Sequence, residues 1–239
     1  FTGDILISLK PPGQRRAMEK IFEELRGKLA DQVPELETEF VPLIQDQIND
    51  LAVDANGTLW VASGLEREPT PGGVSYRDTE GRWKPWGYRL GTGRQNFDDG
   101  LEGYAYYSLA ISPQGRVYAG GWRGVSILEP GEDIWHLVEI RDTGALALDA
   151  ADNLWIAASQ GLYRLNAGLG LERIYKRQES NGWQTVALDN AGIVWFGGPE
   201  GLFRLQGRRN VSQLFVPDAL PELAVYSVAV NGDDTVWLR

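Results

Sequence analysis

Three features of this 239-residue sequence predict a mainly β fold built from repeated sheets. Five segments align with one another: LAVDANGTLWVAS (51–63), LAISPQGRVYAGG (109–121), LALDAADNLWIAA (146–158), VALDNAGIVWFGG (186–198) and VAVNGDDTVWLR (228–239). Their aromatic anchors, Trp60, Tyr118, Trp155, Trp195 and Trp237, are spaced by 58, 37, 40 and 42 residues. Nine Trp and 29 Gly make aromatic strands punctuated by glycine turns. A recurring unit of about 40 residues is the size of a four-stranded propeller blade. The expectation is a β-propeller of four blades starting near residues 48, 107, 145 and 184, with the first hairpin of a fifth cut short at Arg239. A small βαβ unit over 1–45 is expected ahead of them.

In that first unit DILISLK (4–10) alternates as a strand, and RRAMEKIFEELRGKLADQV (15–33) sets Met18, Ile21, Phe22, Leu25 and Leu29 on one helical face. Pro11 and Pro12 stand just before the helix, where Pro is tolerated. ELETEFVPLI (35–44) supplies the second strand, and the unit is too small to bury its own faces alone. In each blade a first strand of small and branched residues, such as Leu146 to Leu148, meets a polar turn such as DAADN. Asp, Asn and Gly there tolerate the left-handed backbone that a short hairpin needs. The second strand carries the Trp, a Gly such as Gly161 starts the third (GLYRL), and a weakly patterned fourth (LERIYKR) closes the sheet. The turn Asp residues are read as hairpin hinges rather than calcium ligands, since Ser112-Pro113-Gln114-Gly115 fills the same slot without a carboxylate.

INDLAVDANGTLWVAS followed by a Gly-led strand resembles the two-component-regulator propeller repeat, and the resemblance covers about residues 46–239. It implies a sensor portion of a bacterial signalling protein, periplasmic or otherwise extracytoplasmic, as part of a larger signalling chain. Streptogramin lyase and the NHL-type propellers have neighbouring patterns. The first 52 or so residues, in FTGDILISLKP, EELRGKLADQVPELETEF and IQDQINDLA, resemble the periplasmic porter region of resistance-nodulation-division efflux pumps. The two resemblances overlap at QINDLA (47–52), the mark of a chimera. A fragment of a pump's porter region is therefore an alternative reading, and a propeller lyase or glycan-active enzyme is a further one.

The net charge of −10 argues against a nucleic-acid or anionic-lipid partner. No apolar run approaches the ~18 residues that span a bilayer. The absence of Cys removes disulfides and thiolate chemistry. His136, the single His, lies in DIWHLVEI, read as an outer strand, so no His-based triad or metal cluster is expected. Asp98 or Asp99 with Glu102 is a carboxylate pair read as a solvated loop. No catalytic residue, metal or cofactor is therefore expected, and the protein is read as non-catalytic.

Binding is the better-supported class. The turns between second and third strands and the loops leading into first strands should open on one face of a propeller, where ligands commonly bind. These positions hold Trp122, Arg123, Gln160 and Glu200 in one set, and Tyr104, Tyr106, Asp142, Trp183 and Gln184 in the other. They vary between repeats while the turn and Trp positions are uniform. The candidate ligand-binding set is Tyr106, Trp122, Arg123, Asp142, Gln160, Trp183 and Glu200, suited to a small polar ligand such as a glycan, or to a peptide or protein. The long insertion over 76–107 sets Trp83, Trp86 and Tyr88 beside Arg82, Lys84 and Arg89, a combination that suits a sugar or a peptide; the preferred reading is an outer-edge hairpin whose aromatics pack on the blade.

Overall fold

The structure, a computed structural model, describes residues 47–64, 72–87, 100–101, 103, 105–176, 185–214 and 224–239, together with Glu24, Gly27 and Lys28. The chain divides into two compact units, Phe1–Pro42 and Leu43–Arg239. In the first, Glu24, Gly27 and Lys28 are helical, and Lys28 pairs with Glu24 at 3.0 Å. The strands expected over 4–10 and 35–44 lie outside the described residues.

The second unit consists, among the described residues, of four four-stranded antiparallel sheets and one strand pair. The first sheet is β1 (Ile48–Val53), β2 (Leu59–Ser63), β3 (Gly73–Arg77) and β4 (Trp83–Gly87). The second is β5 (Tyr106–Ile111), β6 (Val117–Gly121), β7 (Gly124–Leu128) and β8 (His136–Glu139). The third is β9 (Thr143–Leu148), β10 (Leu154–Ala158), β11 (Gly161–Leu165) and β12 (Leu171–Lys176). The fourth is β13 (Thr185–Leu188), β14 (Val194–Gly198), β15 (Gly201–Gln206) and β16 (Asn210–Leu214), and β17 (Val228–Val230) with β18 (Val236–Leu238) form the pair. Each sheet runs in sequence order from inner to outer strand, as the repeats predict.

The second strand of the third blade is apolar throughout because both its faces are covered. Every residue of Leu154–Ala158 is buried. Its neighbours divide by the two-residue period: Leu154, Ile156 and Ala158 pack against the second blade, Trp155 and Ala157 against the fourth. Trp60 and Trp155 are 7% and 6% exposed, whereas Trp195, which faces only the last strand pair, is half-buried. Within the insertion Trp86 serves packing: it stacks on Trp60 at 5.6 Å, with Trp135 edge-on to both. Lys84 lies 4.8 Å over the Trp86 ring and pairs with Asp133. Tyr88 and Arg89 lie outside the described residues.

The turn Asp residues are structural. Asp149 Oδ1 accepts the N–H groups of Ala151 and Asn153, both at 2.9 Å, while Oδ2 accepts the Trp155 indole N–H at 3.0 Å. Asp54 and Trp60 repeat this pairing at 3.3 Å, and Asp189 and Trp195 at 3.0 Å. One carboxylate thus folds the turn and fixes the Trp six residues on. Burial pushes the Asp149 carboxyl up, but hydrogen bonds from Asn153, Trp155 and Ala151 outweigh it and hold the group below the usual carboxylate range. Asp54 is held low in the same way by Thr58, Trp60 and Asn56, against burial.

Inner strands are bridged by side chains at one repeated position. Asp50 Oδ2 accepts the Leu109 N–H at 2.7 Å, Ser108 Oγ the Leu146 N–H at 3.1 Å, and Thr185 Oγ1 the Val228 N–H at 3.0 Å. Ala145 holds this position in the third blade and supplies no acceptor. The glycine opening the third strand of the second blade is required by a close approach: a Cβ on Gly124, at φ +152°, would lie 2.1 Å from the Val138 carbonyl oxygen.

Candidate functional site

The upper end of the sheets is the end where each first strand begins and each second strand turns into the third. Backbone hydrogen bonds stitch this end both within and between blades. Trp122 N–H donates to Ala105 O at 3.3 Å, Asp142 N–H to Trp122 O at 2.9 Å, and Ser159 N–H to Asp142 O at 3.1 Å. Val225 N–H continues the series to Gly198 O at 2.9 Å. Between the first and second blades the Asn49 amide donates to Gly64 O at 2.7 Å and to Tyr106 O at 2.8 Å. Asp142 takes a positive φ of 53°, which lets its N–H reach one blade and its C=O the next. Asp adopts this conformation at lower cost than most residues.

This scaffold carries most of the predicted set. Trp122 is 40% exposed, and beside it Arg123 pairs with Glu139 at 3.5 Å. Gln160 is exposed, with its Oε1 accepting the Tyr163 hydroxyl at 3.3 Å. Glu200 sits at the corresponding turn of the fourth blade, where its carbonyl accepts the Gln213 amide at 2.7 Å. Tyr106 corrects the prediction. It is 2% exposed, and its ring lies in the apolar layer between the first two blades, so its side chain belongs to the core. Trp183, with Tyr104 and Gln184, lies outside the described residues.

Sequence reasoning missed two features. First, three inner strands carry a β-bulge at one place: Ile48 faces Ser63 while Asp50 faces Ala62, leaving Asn49 as the extra residue. Tyr107 and Gly144 are the extra residues of β5 and β9. Such a bulge bends the strand and re-aims a side chain beside the loop end. Second, a cleft opens between the third and fourth blades, lined by Gly161, Tyr175, Phe196, Gly198, Glu200 and Phe203 among others. Aligning fourth strands would have found Tyr175, which stands where the second blade has Val138.

His136 lies on the outer strand β8, its ring nitrogen 3.2 Å from a Glu132 oxygen. Among the described residues no group of three or more His, Cys, Asp or Glu could hold a metal ion. No helix among them is long and apolar enough to cross a membrane.

A family model described as two component regulator propeller matches residues 42–64, the stretch that holds β1 and β2. Comparison with curated protein sequences gave no match. Solved structures resemble the chain closely in three dimensions. The extracellular domain of a protein assigned as a hybrid two component system of B. thetaiotaomicron matches with a TM-score of 0.65 at 15% identity, over 85% of this chain and 27% of that one. A second such domain from B. thetaiotaomicron matches with a TM-score of 0.63 at 16% identity, over 82% of this chain and 26% of that one. Virginiamycin B lyase from Staphylococcus aureus matches with a TM-score of 0.61 at 13% identity, over 80% of this chain and 62% of that one. The fold is a β-propeller. At these identities the likeness establishes the fold alone, and the chain spans about a quarter of the length of those two extracellular-domain chains.

Proposed function

We propose that this protein is an extracytoplasmic ligand-binding module of a bacterial signalling protein and does not itself catalyse a reaction. One observation carries the reading: side chains that differ from blade to blade, Trp122, Arg123, Gln160 and Glu200, stand on one hydrogen-bonded end of an otherwise uniform scaffold. The family match over residues 42–64 and the fold shared with extracellular domains of two component systems support it. The mixed chemistry suits a glycan or a peptide, with Trp122 for stacking and Arg123 and the carboxylates for orientation. A lyase reading draws on the shared fold with virginiamycin B lyase; against it, the single His stands on an outer strand. Residues 1–45 are read as a porter-like appendage on the strength of their sequence motifs.

Titration against glycan and peptide panels tests the reading. Trp122→Ala should weaken the best ligand about tenfold, as loss of a stacking Trp commonly does, with the circular dichroism unchanged. Ligand recovered chemically altered would move the protein to the enzyme class, and unchanged affinity in Trp122→Ala would remove this end as the site.

A further inference from the structure

We propose that the cleft between the third and fourth blades takes a primary ammonium group, so that the ligand recognised at this end carries an amine. The inference rests on the reading of the upper end as the binding end. The cleft is open to solvent and has room for a group about the size of one water molecule. Its aromatic wall is compact: the Phe196 and Phe203 rings stack at 5.2 Å, and Tyr175 lies 5.5 Å and 5.2 Å from them. Glu200 stands in the turn that borders it.

The preceding blade interface is an internal control. Strand register places Val138 where Tyr175 stands, and Ile156, Ala158 and Tyr163 where Phe196, Gly198 and Phe203 stand. Gln160 occupies the turn position of Glu200. There the Tyr163 hydroxyl donates to Gln160 Oε1 at 3.3 Å, a neutral pair beside aliphatic side chains. One blade on, the hydroxyl is gone, the amide has become a carboxylate, Ile and Val have become aromatic, and a methyl has become a hydrogen. The change from amide to carboxylate and the changes from aliphatic to aromatic move the slot the same way. Aromatic faces carry negative potential and a carboxylate carries a full charge, so both favour a cation. The loss of the methyl leaves room. An ammonium head is about the size of a water molecule and offers three donors, which a carboxylate and carbonyl groups at the turn can accept. The chain's net charge of −10 adds a long-range attraction of the same sign.

The test is an NMR titration of the full chain with n-butylammonium and with 1-butanol, which differ in the charged head. Butylammonium should bind about tenfold more tightly, the size of a partly desolvated cation–π and carboxylate contact. Glu200→Gln with Phe203→Tyr writes the third-blade pair into the fourth and should abolish the preference; Glu200→Gln alone reads the same loss if the double variant fails to fold. Glucosamine and N-acetyl-lysine amide then distinguish an amino sugar from a peptide lysine as the source, and binding of neither overturns the proposal. Equal affinity for butylammonium and 1-butanol, or a preference that survives in the double variant, also overturns it. Trp122→Ala should leave the preference in place, so failure of the wider reading at Trp122 is separable from failure here.

Discussion

Asp149 organises two parts of its blade with one carboxylate, and the consequences are measurable. Its Oδ1 closes the turn through Ala151 and Asn153, and its Oδ2 holds the Trp155 indole between blades. Asp149→Asn keeps an oxygen for the turn but presents an NH2 to a donor, so the Trp155 bond is lost. Each lost hydrogen bond to a charged group costs about 1.5–3 kcal/mol, and a destabilisation near the lower end is expected at pH 7 for this partly exposed site. Because the folded-state pKa is depressed, the wild-type advantage is present above the ordinary carboxylate value near 4. It is lost as pH falls through the lower folded value. Urea titrations at pH 7 and at pH 3 or below should therefore give a gap between the two proteins that narrows in acid. A gap independent of pH would show that the charge on Asp149 contributes nothing.

Between inner strands, the series Asp50–Leu109, Ser108–Leu146 and Thr185–Val228 satisfies a main-chain N–H that the sheet's own ladder leaves over. Ser108→Ala should cost about 1–3 kcal/mol, because the Leu146 N–H is left buried without its acceptor. Ala145 is the gap in the series, and Ala145→Ser should stabilise by up to about 1 kcal/mol by supplying an acceptor toward the next inner strand. Denaturant midpoints measure both, and equal midpoints for Ser108→Ala and wild type would make the bridge energetically idle. This level of detail was only partly legible in the sequence. The strands, their order and the Trp anchors follow from a pattern that repeats within the chain. The bulges at Asn49, Tyr107 and Gly144 do not, since an extra residue leaves the apolar alternation on either side intact. Tyr106 was misplaced for the same reason: the bulge beside it decides which face its ring takes. The cleft at Glu200 needs the register of two sheets at once, which no single repeat contains.

The core of the second unit is a chain of layers, each shared by neighbouring blades only. One apolar cluster joins the first and second blades, a second the second and third, a third the third and fourth, and a fourth reaches the last strand pair. Stability in such an array is close to a sum of blade terms and nearest-neighbour interface terms, so an element matters by the layer it completes. The strand pair at 228–238 completes one, with Val228 buried in the cluster that also holds Leu202. Residues 1–42 form a compact unit of their own. A chain beginning at Leu43 should then keep its thermal midpoint within about 2 °C of the full chain, less than the shift that about 1 kcal/mol produces in a domain of this size. Beginning at Leu43 also preserves Gln47, whose carbonyl accepts the Gly64 N–H at 3.1 Å and anchors the upper end of the first blade. Differential scanning calorimetry of the two chains decides the matter. A midpoint lowered by more than about 5 °C, beyond what one such interaction supplies, would make the first 42 residues a working layer of the propeller rather than an appendage to it.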